Sequence, residues 1–149
     1  MKLYNQDIDL KELEKYKQKY KTHNLEFAEK INDILLDWFE LNARILPWRS
    51  NPIPYYVWVS EIMLQQTRVE AVKGYFERFI KEIPTIKALA ECEDEKLLKL
   101  WEGLGYYNRV KNMKQAACQV MEQYQGELPK EYEKLLSLKG IGSYTAGAI

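Results

Sequence analysis

Two short stretches of this chain place chemistry where it is costly to keep without a use. Glu61 stands in Val57-Trp-Val-Ser-Glu-Ile-Met-Leu64, where an ionised carboxylate is expensive if the helix is buried on all sides. Burial of that kind raises a carboxyl pKa. A carboxylic acid still protonated near neutral pH is what general-acid cleavage of a glycosidic bond requires. Gln65 follows at i+4, so the same pair also fits the wet stripe of an amphipathic helix. The second stretch is Lys139-Gly-Ile-Gly142, with an apolar helix leading in and another starting at once, which reads as a helix–hairpin–helix. Gly140 and Gly142 let the backbone around Ile141 approach a phosphate, and the amides opening the next helix, backed by its dipole, bind such an anion without a lysine. Sequence-independent gripping of a nucleic-acid backbone is one reading, and an ordinary turn between two core helices is the other.

The elements that must position these groups read as helices throughout, with no sustained strand alternation, so the expected class is all-α. Asp9 and Glu12 resemble a capping box opening a Lys/Glu-rich segment to about Tyr20, with a linker at Thr22–Asn24. An amphipathic helix is expected over Leu25–Ile45, carrying Phe27, Ile31, Ile34, Leu35, Trp38 and Phe39 and stopped at Leu46-Pro47. A proline-rich loop to Pro54 precedes helices over Tyr55–Gln66 and Val69–Ile83. Shorter helices through Ala90 and over Asp94–Glu102 lead to the turn Gly103-Leu-Gly105. A long helix over Tyr107–Gln125 then ends with Gly126 expected in the C′ position. The expected partition is an extension (1–24), an N-terminal helix and loop (25–53), and a six-helix domain (54–149).

Composition narrows the class of function. With 46% apolar and 13% aromatic residues among 149, the chain is neither disordered nor fibrous. Twenty-two basic residues against twenty-two acidic ones argue against binding nucleic acid by bulk charge, though not against gripping by backbone amides. Arg109, Lys111 and Lys114 form a run without acids that reads either as a local basic patch or as a solvated helix face. No window reaches the ~18 uninterrupted apolar residues of a membrane span and no signal peptide opens the chain, so a cytoplasmic protein without membrane partners is expected. Cys92 and Cys118 show no metal-ligand spacing, so no metal is expected in this span.

The runs Leu46-Pro-Trp-Arg49, Val57-Trp-Val-Ser-Glu-Ile-Met-Leu-Gln-Gln-Thr67, Trp101-Glu-Gly-Leu-Gly-Tyr-Tyr-Asn-Arg109 and Leu138-Lys-Gly-Ile-Gly-Ser-Tyr-Thr-Ala-Gly-Ala148 resemble, in order and spacing, the MutY-type adenine DNA glycosylases of the helix–hairpin–helix superfamily. The resemblance covers roughly residues 25–149. It implies base excision repair: adenine opposite 8-oxoguanine or guanine is flipped out of double-stranded DNA and its N-glycosidic bond hydrolysed. By the same resemblance Glu61 is the acid that protonates adenine at N7, and Trp48 and Arg49 line the adenine pocket. Tyr144 approaches the reaction centre from the hairpin, Gln66 and Thr67 insert at the mispair, and Leu104 and Tyr106 wedge beside the oxidised guanine. Lys139, Gly140, Ile141 and Gly142 are its backbone-gripping hairpin.

Tyr144 stands where the related endonuclease III-like lyases carry a Schiff-base lysine, so base removal without efficient strand cleavage is expected. A thymine glycosylase acting on G·T mispairs shares the tyrosine and the glutamate and is the nearest alternative, disfavoured by Gln65-Gln66-Thr67. A non-catalytic DNA-binding module is the other. The resemblance also implies a second catalytic carboxylate, a 4Fe–4S cluster on four cysteines and an 8-oxoguanine-reading domain, all beyond Ile149. The expectations that follow are that this chain is a fragment with little activity of its own, and that its Leu25–Ile45 helix self-associates or folds back.

Overall fold

The computed structural model describes residues 25–149, with side chains from Ile31 onward; the Asp9–Tyr20 helix and the Thr22–Asn24 linker lie outside the described residues. The chain divides at Arg44/Ile45 into two compact units. In the first, α1 spans Leu25–Asn42 and exposes Ile34, Leu35, Trp38 and Phe39. It stops three residues short of the expected end, with the Asn42 side-chain amide donating to the carbonyl of Trp38 at 2.8 Å. No helix among the described residues is long and apolar enough to cross a membrane.

The second unit runs from Ile45 to Ile149. The loop and short helix α2 (Pro47–Ser50), grouped by sequence with the N-terminal helix, therefore belong to the second unit. The cause is burial, since Leu46 and Trp48 are both core residues and the Trp48 ring meets Phe76 edge-on at 5.4 Å.

Helix α3 (Pro54–Leu64) opens with proline at its first position, where the missing N–H costs no hydrogen bond. Tyr55, Trp58, Val59, Ile62 and Met63 form one buried stripe at i, i+3, i+4, i+7 and i+8, which the buried Ser60 widens. α4 (Val69–Glu82) is amphipathic, burying Val72, Phe76 and Phe79 at helical spacing. α5 (Ile86–Glu91) is N-capped by Thr85, whose hydroxyl accepts the N–H of Ala88 at 3.1 Å. α6 (Asp94–Trp101) buries Leu97 and Trp101, and the Trp101 ring lies edge-on to Phe79 at 6.1 Å. α7 (Asn108–Tyr124) presents Val110, Met113, Ala116, Ala117 and Val120, and packs along α5. It ends as expected, with Gly126 in the C′ position at φ 88° after a C-cap Gln125 that is itself left-handed, both amides donating to Val120.

α8 (Tyr132–Leu136) and α9 (Ser143–Ala148) are the arms of the hairpin, packed on each other, and α9 also packs on α3. All regular structure among the described residues is helical, as expected. The hairpin and α2 thus both meet the helix that carries Glu61.

Candidate active site and nucleic-acid interface

Glu61 sits between the buried Ser60 and Ile62 on α3 and is itself half-buried. Burial raises its carboxyl pKa, and the positive charge of Arg49 pulls it partly back. Ser60 donates to the carbonyl of Val57 at 2.8 Å, so the neighbouring hydroxyl is engaged with its own helix. Arg49 is exposed on α2, and the buried Trp48 beside it anchors that helix. As placed, Trp48 is a core side chain, 5% exposed, rather than an open pocket wall. On α9, which packs on α3, Thr145 and Ala146 are buried while Tyr144 projects outward, 79% exposed.

The raised pKa has a sign that stability measurements can read. A carboxyl whose folded pKa lies above its unfolded one contributes stability that is full below the unfolded value and is lost as pH rises through the folded value. Glu61→Gln is therefore expected to raise the melting temperature by a few degrees at neutral pH. The gain should shrink to nothing in acid below the ordinary carboxylate range, and a gain that persists unchanged at low pH would remove the desolvation argument.

A second group of expected residues occupies two loops. α3 ends at Leu64, two residues earlier than expected, because Leu64–Thr67 close a turn, with the Thr67 N–H donating to Leu64 at 3.2 Å and Gln66 at φ 58°. Gln66 is exposed, and Thr67 donates its hydroxyl to the carbonyl of Gln65 at 3.3 Å. In the 103–106 turn Tyr106 is left-handed at φ 48° and 67% exposed, whereas Leu104 lies in the core at 6%. The exposed side chain at this turn is therefore Tyr106, while Leu104 packs in the core. Gly103 holds φ 96°, and a Cβ there would collide with the Tyr75 hydroxyl.

Three residues of α7 that sequence reasoning did not single out as functional tie these pieces together. The Arg109 guanidinium donates to Ile62, Met63 and Gln65 at the end of α3 and to Leu104 and Gly105 in the turn. Asn112 lies beneath Gly140, and the Gln119 side-chain oxygen accepts the N–H of Lys139 at 2.8 Å. The signal was available: polar residues at i, i+3 and i+10 share one helix face. The basic run at 109–114 is thereby explained in part, since Arg109 points inward and Lys114 pairs with Asp94.

In the hairpin, Ile141 is buried and donates its N–H to Leu138 at 3.2 Å, while Lys139, Gly140 and Gly142 are exposed. A cavity of about 70 Å³ between Trp58, Gln65, Arg109, Asn112 and Gly140 marks where the Gln65–Thr67 loop, Arg109 and the hairpin meet. Among the described residues no set of three or more His, Cys, Asp or Glu side chains is placed to hold a metal. Cys92 and Cys118 fall short of a four-thiolate set.

Known proteins place this arrangement. Residues 59–144 match the model of the HhH-GPD superfamily of base excision DNA repair proteins. The chain is 44% identical over 119 residues to the adenine DNA glycosylase of Buchnera aphidicola subsp. Acyrthosiphon pisum, covering 79% of this chain and 34% of that protein. It is 41% identical to the human adenine DNA glycosylase, covering 77% and 23%. The chain thus spans about a third or less of the length of these relatives. Among solved structures, a thermostable thymine-DNA glycosylase superposes with TM-score 0.74 at 26% identity, over 80% of this chain and 56% of that one. Endonuclease III in a non-covalent DNA complex superposes at 0.64 and 19% identity, over 79% and 56%, a likeness of fold. By sequence and by fold, the chain belongs to the HhH-GPD superfamily of base excision DNA repair proteins.

Proposed function

We propose that the protein to which this chain belongs is a monofunctional adenine DNA glycosylase acting on adenine opposite 8-oxoguanine or guanine in double-stranded DNA. The observation that carries this reading is Glu61: burial raises the pKa of a carboxyl midway along α3, the helix whose C-terminal end leads into the exposed Gln66. In the proposed step the Glu61 carboxyl gives its proton to N7 of a flipped adenine. The N-glycosidic electron pair leaves with the base, and water adds to the sugar carbon with loss of its proton.

Arg49 sets how tightly Glu61 holds that proton. Gln66 and Tyr106, each exposed and left-handed, are suited to enter the helix at the mispair and offset the stacking lost on flipping, with Thr67 steadying the first of these loops. Gly140, Gly142 and the first-turn amides of α9 would hold the backbone phosphates, with Lys139 beside them. Tyr144 supplies no amine, so the reaction stops at an abasic site.

The likeness to a thymine-DNA glycosylase at 26% identity supports a second reading, thymine removal from G·T mispairs. Single-turnover excision by the whole protein from duplexes bearing 8-oxoguanine·adenine, guanine·adenine or guanine·thymine separates them. Adenine release from the first two without strand cleavage is expected, and faster thymine release would overturn the assignment.

A further inference from the structure

We propose that Arg109 is a positioning residue that locks the Gln65–Thr67 loop and the Leu104–Tyr106 turn into a single DNA-facing unit. One guanidinium nitrogen donates to the carbonyls of Ile62 (2.8 Å), Met63 (3.3 Å) and Gln65 (2.7 Å), the other to those of Leu104 (2.9 Å) and Gly105 (3.1 Å). All five acceptors are neutral backbone carbonyls, two of them on the last turn of α3 where the helix dipole favours a cation. The guanidinium carbon also lies 5.4 Å from the Trp101 ring centre and 5.6 Å from that of Tyr106. The residue is thus gripped by the fold on one side and touches a proposed wedge on the other.

Each clamped loop carries a non-glycine residue at positive φ, Gln66 at 58° and Tyr106 at 48°. Such conformations persist only where the surroundings over-determine them. Arg109 supplies that determination to both loops from one planar group, which a lysine ammonium, a single point donor, cannot span. Loops already ordered in the free protein lose little entropy on entering a duplex, so the clamp favours the mispaired complex.

The role in DNA binding rests on the functional reading above, but the clamp itself is testable without it. In Arg109→Lys, amide hydrogen exchange is expected to speed up by about tenfold at both 65–67 and 104–106 together, with 139–142 unchanged. Affinity for a duplex with one G·A mispair should fall by about tenfold, and for the same duplex fully paired by less than about threefold. Faster exchange in one loop alone, or in neither, overturns the clamp, and so does loosening throughout the chain with equal loss of both affinities.

If Arg109→Lys does not fold, Gly105→Ala decides. Gly105 holds φ 68° and a Cβ there meets nothing within 4 Å, so the change strains only the turn. Exchange must then rise at 65–67 as well as at 104–106. Should the wild-type chain bind both duplexes equally, the functional reading falls, while the exchange result still decides the clamp.

Discussion

Glu61→Gln in the whole protein is expected to leave mispaired duplex binding nearly intact and to cut single-turnover adenine release by about 10²–10⁴-fold, the range general-acid assistance supplies. Glutamine keeps the shape of the side chain on α3 and removes its transferable proton. The wild-type rate should fall as pH rises through the elevated pKa of Glu61, and the variant should show a flat profile. Arg49→Gln sharpens the test: its charge pulls that pKa down, so removing it should move the falling limb to higher pH. Release unaffected by Glu61→Gln would sink the catalytic role and leave a DNA-binding module. A falling limb that stays in place in Arg49→Gln would detach Arg49 from the acid.

How much of this was legible in the sequence depended on whether a property was local. The helices around Glu61, the hairpin glycines and the turn at Gly103–Gly105 all follow from periodicity and backbone permissiveness, and they stand where expected to within a few residues. α3 ends two residues before the approximate boundary at Gln66, and nothing within Leu64–Thr67 signals that stop. The stop is accompanied by a guanidinium more than forty residues away that takes the terminal carbonyls. Leu104 and Trp48 show the converse limit. A motif match assigns a residue to a site, but only packing decides whether its side chain faces the ligand or anchors the backbone that does. Arg109 looked like one charge in a basic run, and its acceptors come from two separate segments that only the fold assembles.

The two hairpin glycines are expected to separate folding from binding when each is replaced by alanine. At Gly140, φ is 76° and an added Cβ would lie 2.9 Å from the Asn112 Cβ, which is fixed to helix α7 and cannot rotate away. Left-handed strain alone costs about 1–2 kcal/mol, and the clash adds to it. Gly140→Ala should therefore destabilise the chain by about 2–3 kcal/mol, read as a fall in the denaturant midpoint at unchanged slope. At Gly142, φ is −92° and a Cβ meets no protein atom within 4 Å. Gly142→Ala should accordingly stay within about 0.5 kcal/mol of wild type. If that open space is where a phosphate approaches the amides at the start of α9, the new methyl group obstructs it, and affinity even for fully paired duplex should drop by about tenfold. The affinity difference should narrow at high salt, where both proteins bind weakly. Equal affinity of Gly142→Ala and wild type at low salt would mean that the hairpin is a structural turn and that the backbone is gripped elsewhere.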